Sequence, residues 1–236
     1  MSNSERSESV WPCIGFAHRG ARGYAPENTL EAFTLALRLG ATGLESDVWL
    51  TKDNIPVLDH DGLIRRRLRS RAIKDFLRAD LPPHIPTLQD LLDLAPDTHP
   101  VSLDVKDENG FAVIYEVCVV RRPVSLSSIY LCHPNLQVLE DQASKLSGVN
   151  LVCSTRLSRL VKGPEMHAAR MRESRIAVVN MPYLDWSGGL VALFHRFGIA
   201  CFAWDCQQPE QIRAVKRMKI DGVYSDWPDR LADGLK

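Results

Sequence analysis

The sequence predicts a single-domain α/β protein, a closed parallel TIM (β/α)8 barrel, on three observations. Short apolar runs of strand length recur at Ile14 to His18, Gly43 to Trp49, Val101 to Lys106, Ser128 to Cys132, Val149 to Ser154, Ile176 to Asn180, Ile199 to Trp204 and Gly222 to Ser225. Stretches with apolar residues at helical spacing separate most of these eight runs, the alternation that builds parallel sheets. At 236 residues the chain suits one large α/β domain, and no internal repeat, low-complexity tract or linker divides it.

In chain order, residues 1–12 read as a polar, disordered head, and the barrel domain is expected over 13–236. The first strand delivers His18 to its C-terminal end. Thr29 or Asn28 is placed to cap a helix in which Leu30, Phe33 and Leu37 share a face, and Gly40 stands where that helix should stop. In the second strand Leu44, Ser46 and Val48 point one way and Glu45, Asp47 and Trp49 the other. Pro56 to Leu58 is a short extended piece leading into Asp59-His60-Asp61. The segment Arg65 to Arg71 then holds five arginines, expected as a solvated helical face or loop, or as an anion attractor beside a site. Thr87 with Asp90 has the spacing of a capping box, opening a helix through Leu94 that Pro96 ends. Ser102, Asp104 and Lys106 share a face of the third strand, and an apolar helix follows around Phe111 to Val120. Later helices carry Leu190, Leu193, Phe194 and Phe197 on one face, and Ile212 with Val215 on another.

Lys plus Arg and Asp plus Glu balance at 29 each, so no global field draws in nucleic acid or an anionic membrane. The six cysteines are scattered without a C-x-x-C pair, as buried free thiols are. Neither a signal-peptide pattern nor an uncharged apolar run of about 18 residues occurs, so a reduced, cytoplasmic protein without stable membrane insertion is expected.

Chemistry-bearing residues collect at the strand ends, where barrel sites form. Glu45 and Asp47, two apart on a strand, lean into the same space, and a shared cation would relieve their repulsion. Hard oxygen ligands favour Mg²⁺ or Ca²⁺, and Asp104 on the next strand is a plausible third donor. A pair of acids two apart is also common on solvent-facing strands. His18 and His60 each follow an extended segment, and a histidine pair can serve as base and acid near neutral pH. Arg19 and Lys106 add positive charge suited to a phosphate oxygen, although an ion pair with a neighbouring acid would explain either of them.

Together His18-Arg19-Gly20, Pro26-Glu27-Asn28-Thr29, Glu45-Ser46-Asp47-Val48 and His60-Asp61 resemble the glycerophosphodiester phosphodiesterase family. The likeness continues through Ile85-Pro86-Thr87-Leu88, the Asp104 and Lys106 strand, and Gly222-Val223-Tyr224-Ser225-Asp226 followed by Pro228. It implies a TIM barrel that uses a divalent metal, Mg²⁺, Ca²⁺ or Mn²⁺, to hydrolyse glycerophosphodiesters to sn-glycerol 3-phosphate and an alcohol. It further implies His18 and His60 as acid and base, Glu45 and Asp47 as metal ligands, to which Asp104 is the plausible third, and Arg19 and Lys106 as phosphate contacts. Glu27, Asn28, His133 and Trp204 are expected around a small-molecule substrate. The chain departs from the family pattern in having Asp104 for a glutamate, a short arginine-rich segment after His60, Cys132-His133 where a serine is common, and Trp204-Asp205-Cys206-Gln207 for Trp-Thr-x-Asn. Two other readings stay open. One is a lysophospholipase D whose acyl groove would use Trp49, Trp186, Trp204 or Trp227, and the other is a non-catalytic barrel that binds a phosphate ligand.

Overall fold

The computed structural model describes residues 13–66 and 69–236, so the expected disordered head lies outside the described residues. Eight parallel strands close a barrel: β1 (Ile14–Ala17), β2 (Gly43–Leu50), β6 (Val101–Val105), β7 (Ile129–His133), β8 (Asn150–Ser154), β9 (Val178–Pro182), β10 (Ala200–Trp204) and β11 (Gly222–Ser225). They pair in the order β1-β11-β10-β9-β8-β7-β6-β2, and the β1 to β2 pairing shuts the ring. Around them run α1 (Leu30–Arg38), α2 (Leu88–Leu94), α3 (Phe111–Arg121), α4 (Leu136–Ala143), α5 (Pro164–Glu173), α6 (Gly188–Arg196), α7 (Pro209–Arg217) and α8 (Pro228–Leu235).

Local chemistry explains the helix starts. Thr29 caps α1 by accepting a hydrogen bond from the Ala32 N–H at 3.2 Å. Thr87 and Asp90 form a reciprocal capping box at the start of α2, each side chain accepting from the other's backbone N–H. Inside the barrel, Phe16, Cys132, Val152, Val178, Phe202 and Tyr224 form a core separate from the larger one between strands and helices. Phe16 stacks on Tyr224 with ring centroids 4.8 Å apart. A Cβ at residue 222 would stand 2.7 Å from the Phe202 ring, which explains glycine there. This plug of rings leaves the space above it, at the C-terminal strand ends, for polar groups.

The arginine-rich segment differs from the helical or loop expectation. β4 (Leu63–Arg66) and β5 (Arg69–Ala72) pair as an antiparallel hairpin beyond β3 (Pro56–Leu58), which itself pairs antiparallel with β2. Ile64 is buried with Val57, Ile73, Phe76, Leu81 and Ile85 in a small satellite core. That side core decides the matter, because alternation is what lets Ile64 face it while the neighbouring Leu63 and Arg65 stay exposed. Cys118, Cys132, Cys153, Cys201 and Cys206 are buried, Cys13 is half-buried, and all six are free. Among the described residues no helix is long and apolar enough to cross a membrane.

Candidate active site

A cavity of about 280 Å³ opens at the C-terminal ends of the strands. Strand alternation builds it: Glu45 and Asp47 from β2, Ser102 and Asp104 from β6, Cys132 from β7, Ser154 from β8, Asn180 from β9 and Trp204 from β10 all face in. Tyr224 on β11 hydrogen-bonds Ser102 at 2.9 Å across the barrel, while His18, Arg19, Lys106 and Asp226 come from the segments just past the strands.

The turn after β1 places the two most connected groups. Arg19 has φ +55° and Gly20 φ +76°, and a Cβ at residue 20 would stand 2.7 Å from the Ala32 backbone. Glycine is required there on both counts. The turn aims the Arg19 N–H at Glu45 Oε2, 2.9 Å away, and brings its guanidinium 3.1 Å from Asp47. Asn28, another residue with positive φ (+56°), donates to Asp47 at 3.1 Å and accepts from Ser46 at 2.7 Å. Backbone strain of this kind is held only where surroundings over-determine it.

Asp47 is therefore stabilised as an anion. Burial opposes its ionisation, but Lys106, with Nζ 2.9 Å away, and Arg19 outweigh burial and hold its pKa below the ordinary carboxylate value. Glu45 is treated differently. Burial raises its pKa and the like charges of Asp47 and Asp104 add to this, so that even with His18 opposing it reaches about 7. Lys106 also meets Asp104 at 2.5 Å; burial works against its charge, and the two aspartates overcome that and raise its pKa.

His18 donates its Nδ1–H to Asp226 Oδ1 at 2.7 Å, which turns Nε2 toward Glu45, 3.9 Å away. Burial disfavours the imidazolium, but Glu45 and Asp226 prevail and its pKa is raised. A half-buried histidine oriented by a carboxylate, beside a second carboxylate and two cations, has the parts for moving a proton next to an anionic substrate.

The sequence matches the model of the glycerophosphoryl diester phosphodiesterase family over residues 18–230. The chain belongs to this family. A glycerophosphodiester phosphodiesterase of Bacillus altitudinis is 34% identical over 243 residues, covering 91% of this chain and 95% of that protein. The glycerophosphodiester phosphodiesterase of Thermotoga maritima superposes with a TM-score of 0.79 at 26% identity, over 92% of this chain and 96% of that one. A phosphodiesterase of Oleispira antarctica, solved with the product sn-glycerol-3-phosphate, superposes with a TM-score of 0.82 at 21% identity, over 94% and 96% of the two chains.

In this phosphodiesterase fold, the residues expected at the site fall into two groups. His18, Arg19, Glu45, Asp47, Asp104, Lys106 and Trp204 line the cavity. Asn28 and Glu27 stand behind it: Asn28 supports Asp47, and Glu27 pairs with Arg19 at 3.0 Å and Arg22 at 3.2 Å. His60 is not among the lining residues. It sits half-exposed on the rim with Nδ1 2.9 Å from Asp61, because β3 pairs with β2 outside the barrel ring. His133 also departs from expectation. Cys132 faces in, so its neighbour His133 faces out, edge-on to Phe111 with centroids 5.9 Å apart, its Nδ1 accepting from the Asn135 N–H at 3.2 Å.

Asp226 was not picked out as a site residue, and its signal was available: a charged residue directly after the last strand. Arg22, Ser154 and Asn180 also line the cavity without having been picked out, and Asp205 and Gln207 come from the Trp204 segment that departs from the family pattern. Among the described residues, the one trio of candidate ligand atoms all within 4.8 Å of one another is His195, Cys201 and Asp221, at the opposite end of the barrel. Its donors are already spent, since Asp221 Oδ2 accepts from Cys201 N–H at 2.7 Å and bonds His195 at 2.8 Å, and burial raises the Cys201 thiol pKa. By chemistry, Glu45, Asp47 and Asp104 are the better donors for a hard cation. They are three oxygen ligands in one cavity, and Glu45 has too little positive charge beside it to ionise readily.

Proposed function

We propose that this chain hydrolyses glycerophosphodiesters to sn-glycerol 3-phosphate and an alcohol, with a divalent cation held by Glu45, Asp47 and Asp104. The observation that carries the reading is His18, oriented by Asp226 and facing a cavity that holds those carboxylates together with Arg19 and Lys106. Bound Mg²⁺, Ca²⁺ or Mn²⁺ would supply positive charge to a phosphate oxygen as negative charge builds on it.

This chain's own residues do the remainder. Arg19 and Lys106, now paired with carboxylates, are free to turn a share of their charge to the diester once those carboxylates are neutralised. One histidine takes the proton of the attacking oxygen as its bond to phosphorus forms. As the phosphorus bond to the leaving alcohol breaks, the other histidine returns a proton to that oxygen. His18 is already in the cavity, and His60 is given the second role from the rim, in the turn after β3. Its place beside β2 supports this, since Asp59 N–H donates to the Asp47 carbonyl at 3.2 Å.

The test is release of sn-glycerol 3-phosphate from glycerophosphocholine and glycerophosphoethanolamine by metal-stripped protein, with each cation restored in turn. Cation-dependent release is expected, and no release with any of them would sink the reading. The lysophospholipase D alternative rests on Trp204, which lines the cavity, whereas Trp186 is buried, its Nε1 donating to the Phe202 carbonyl at 3.0 Å. Faster cleavage of lysophosphatidylcholine than of glycerophosphocholine would favour that alternative.

A further inference from the structure

The β8–α5 loop reads Thr155-Arg156-Leu157-Ser158-Arg159-Leu160-Val161-Lys162-Gly163, three cations with no acid. Its apolar tips are unusually bare. Val161 is 95% exposed and Leu157 39%, and nearby Leu184, in the β9–α6 loop, is 77% exposed. Met166, in the first turn of α5, adds a fourth exposed apolar side chain at 59%. The two loops are tied together by the Leu157 N–H donating to Asp185 at 2.8 Å. Both follow C-terminal ends of barrel strands, so this corner shares the face of the cavity mouth. Arg156 makes the join, its guanidinium 4.7 Å from the ring centroid of Trp204, which lines the cavity.

We propose that this corner of the rim docks on the surface of an anionic lipid aggregate, presenting the cavity mouth to the headgroup layer. The formal net charge of the chain is zero, so attraction to an anionic surface must be local, and Arg156, Arg159 and Lys162 supply it. Single aliphatic side chains projecting between cations suit shallow insertion among headgroups. They do not suit a protein partner, whose anchors are typically aromatic residues or arginine seated in pockets. The proposal rests on the surface alone and holds whichever diester the cavity cleaves.

Vesicle flotation of the whole chain tests it, with phosphatidylcholine alone and with phosphatidylcholine mixed with phosphatidylserine. The wild type is expected to float with the mixed vesicles, less so as salt is raised, and not with phosphatidylcholine alone. The double variant Val161→Asp, Leu184→Asp and the double variant Arg159→Glu, Lys162→Glu should each bind at least about tenfold more weakly. Their thermal midpoints and cleavage of soluble glycerophosphocholine should match wild type, since none of the four residues lines the cavity. Absence of flotation with mixed vesicles, equal flotation with phosphatidylcholine alone, or binding that survives both double variants would overturn the proposal. So would a dimer that only Val161→Asp, Leu184→Asp dissolves, which would assign the corner to a second copy of the chain.

Discussion

Strand β11 has an aspartate at each end, and each holds a histidine. Asp226, after the strand, meets His18 at 2.7 Å, and Asp221, before it, meets His195 at 2.8 Å. Both histidines have raised pKa values, but the neighbours differ. Asp221 Oδ2 also accepts from the Cys201 N–H, so that pair closes backbone hydrogen bonds at the strand entrance. Asp226 leaves His18 Nε2 facing Glu45 in a cavity lined with ionisable groups. One residue pair thus serves two purposes, depending on whether it sits at the closed entrance or the open exit of the strands. A histidine–carboxylate contact alone does not mark an active site; the free nitrogen and what it faces do.

The largest difference should come from truncating the two histidines. His18→Ala should lower turnover of glycerophosphocholine by roughly 10²- to 10⁴-fold, as loss of a general acid or base does, while His195→Ala leaves it unchanged. Equal losses in both variants would erase the distinction. Asp226→Asn keeps the shape but weakens the hold on His18, and should cost about 10²-fold in kcat with little change in KM or thermal midpoint, the scale expected for misplacing a reacting group. Asp221→Ala should do the reverse, leaving kcat intact and lowering stability by about 1–2 kcal/mol in urea unfolding, since a partly buried N–H loses its acceptor.

The smallest effect is a pH dependence. The hydrogen bond that His195 donates to Asp221 raises its pKa above the ordinary 6.5, with partial burial opposing. Its contribution to stability is therefore complete below the unfolded value and is lost as pH rises through the folded one. The stability gap between wild type and His195→Gln should be widest near about pH 5 and narrow above about pH 8. A gap that widened with rising pH would show the pair to be held by something other than the protonated imidazole.

Much of this architecture was legible in the chain. All eight barrel strands stand where apolar runs of strand length recur, and the Thr29 and Thr87 caps stand where their spacing puts them. Glu45 with Asp47, and Ser102 with Asp104, share the inner face because a strand's period of two leaves no other choice, and Lys106 follows just past the strand end. The hairpin of the arginine segment was not legible, since its strands are short and only Ile64, packed on a remote side core, reveals their alternation. His133 stays off the cavity lining because one residue of register separates inward from outward, and the strand's chemistry did not favour Cys132 over its neighbour.

What the sequence alone determined is what depends on near neighbours: caps, strand periodicity, and the set of acids, cations and histidines at strand ends. Tertiary structure decided which of them meet. His18 and Asp226 are 208 positions apart and touch because closing the ring sets β1 beside β11. Ring closure is also what places Asp47 between Lys106 and Arg19, so that it stays ionised, while Glu45, lacking a second cation, is held near a pKa of about 7. Charge in a buried site depends on every group within a few ångströms, and no local stretch of chain contains them all.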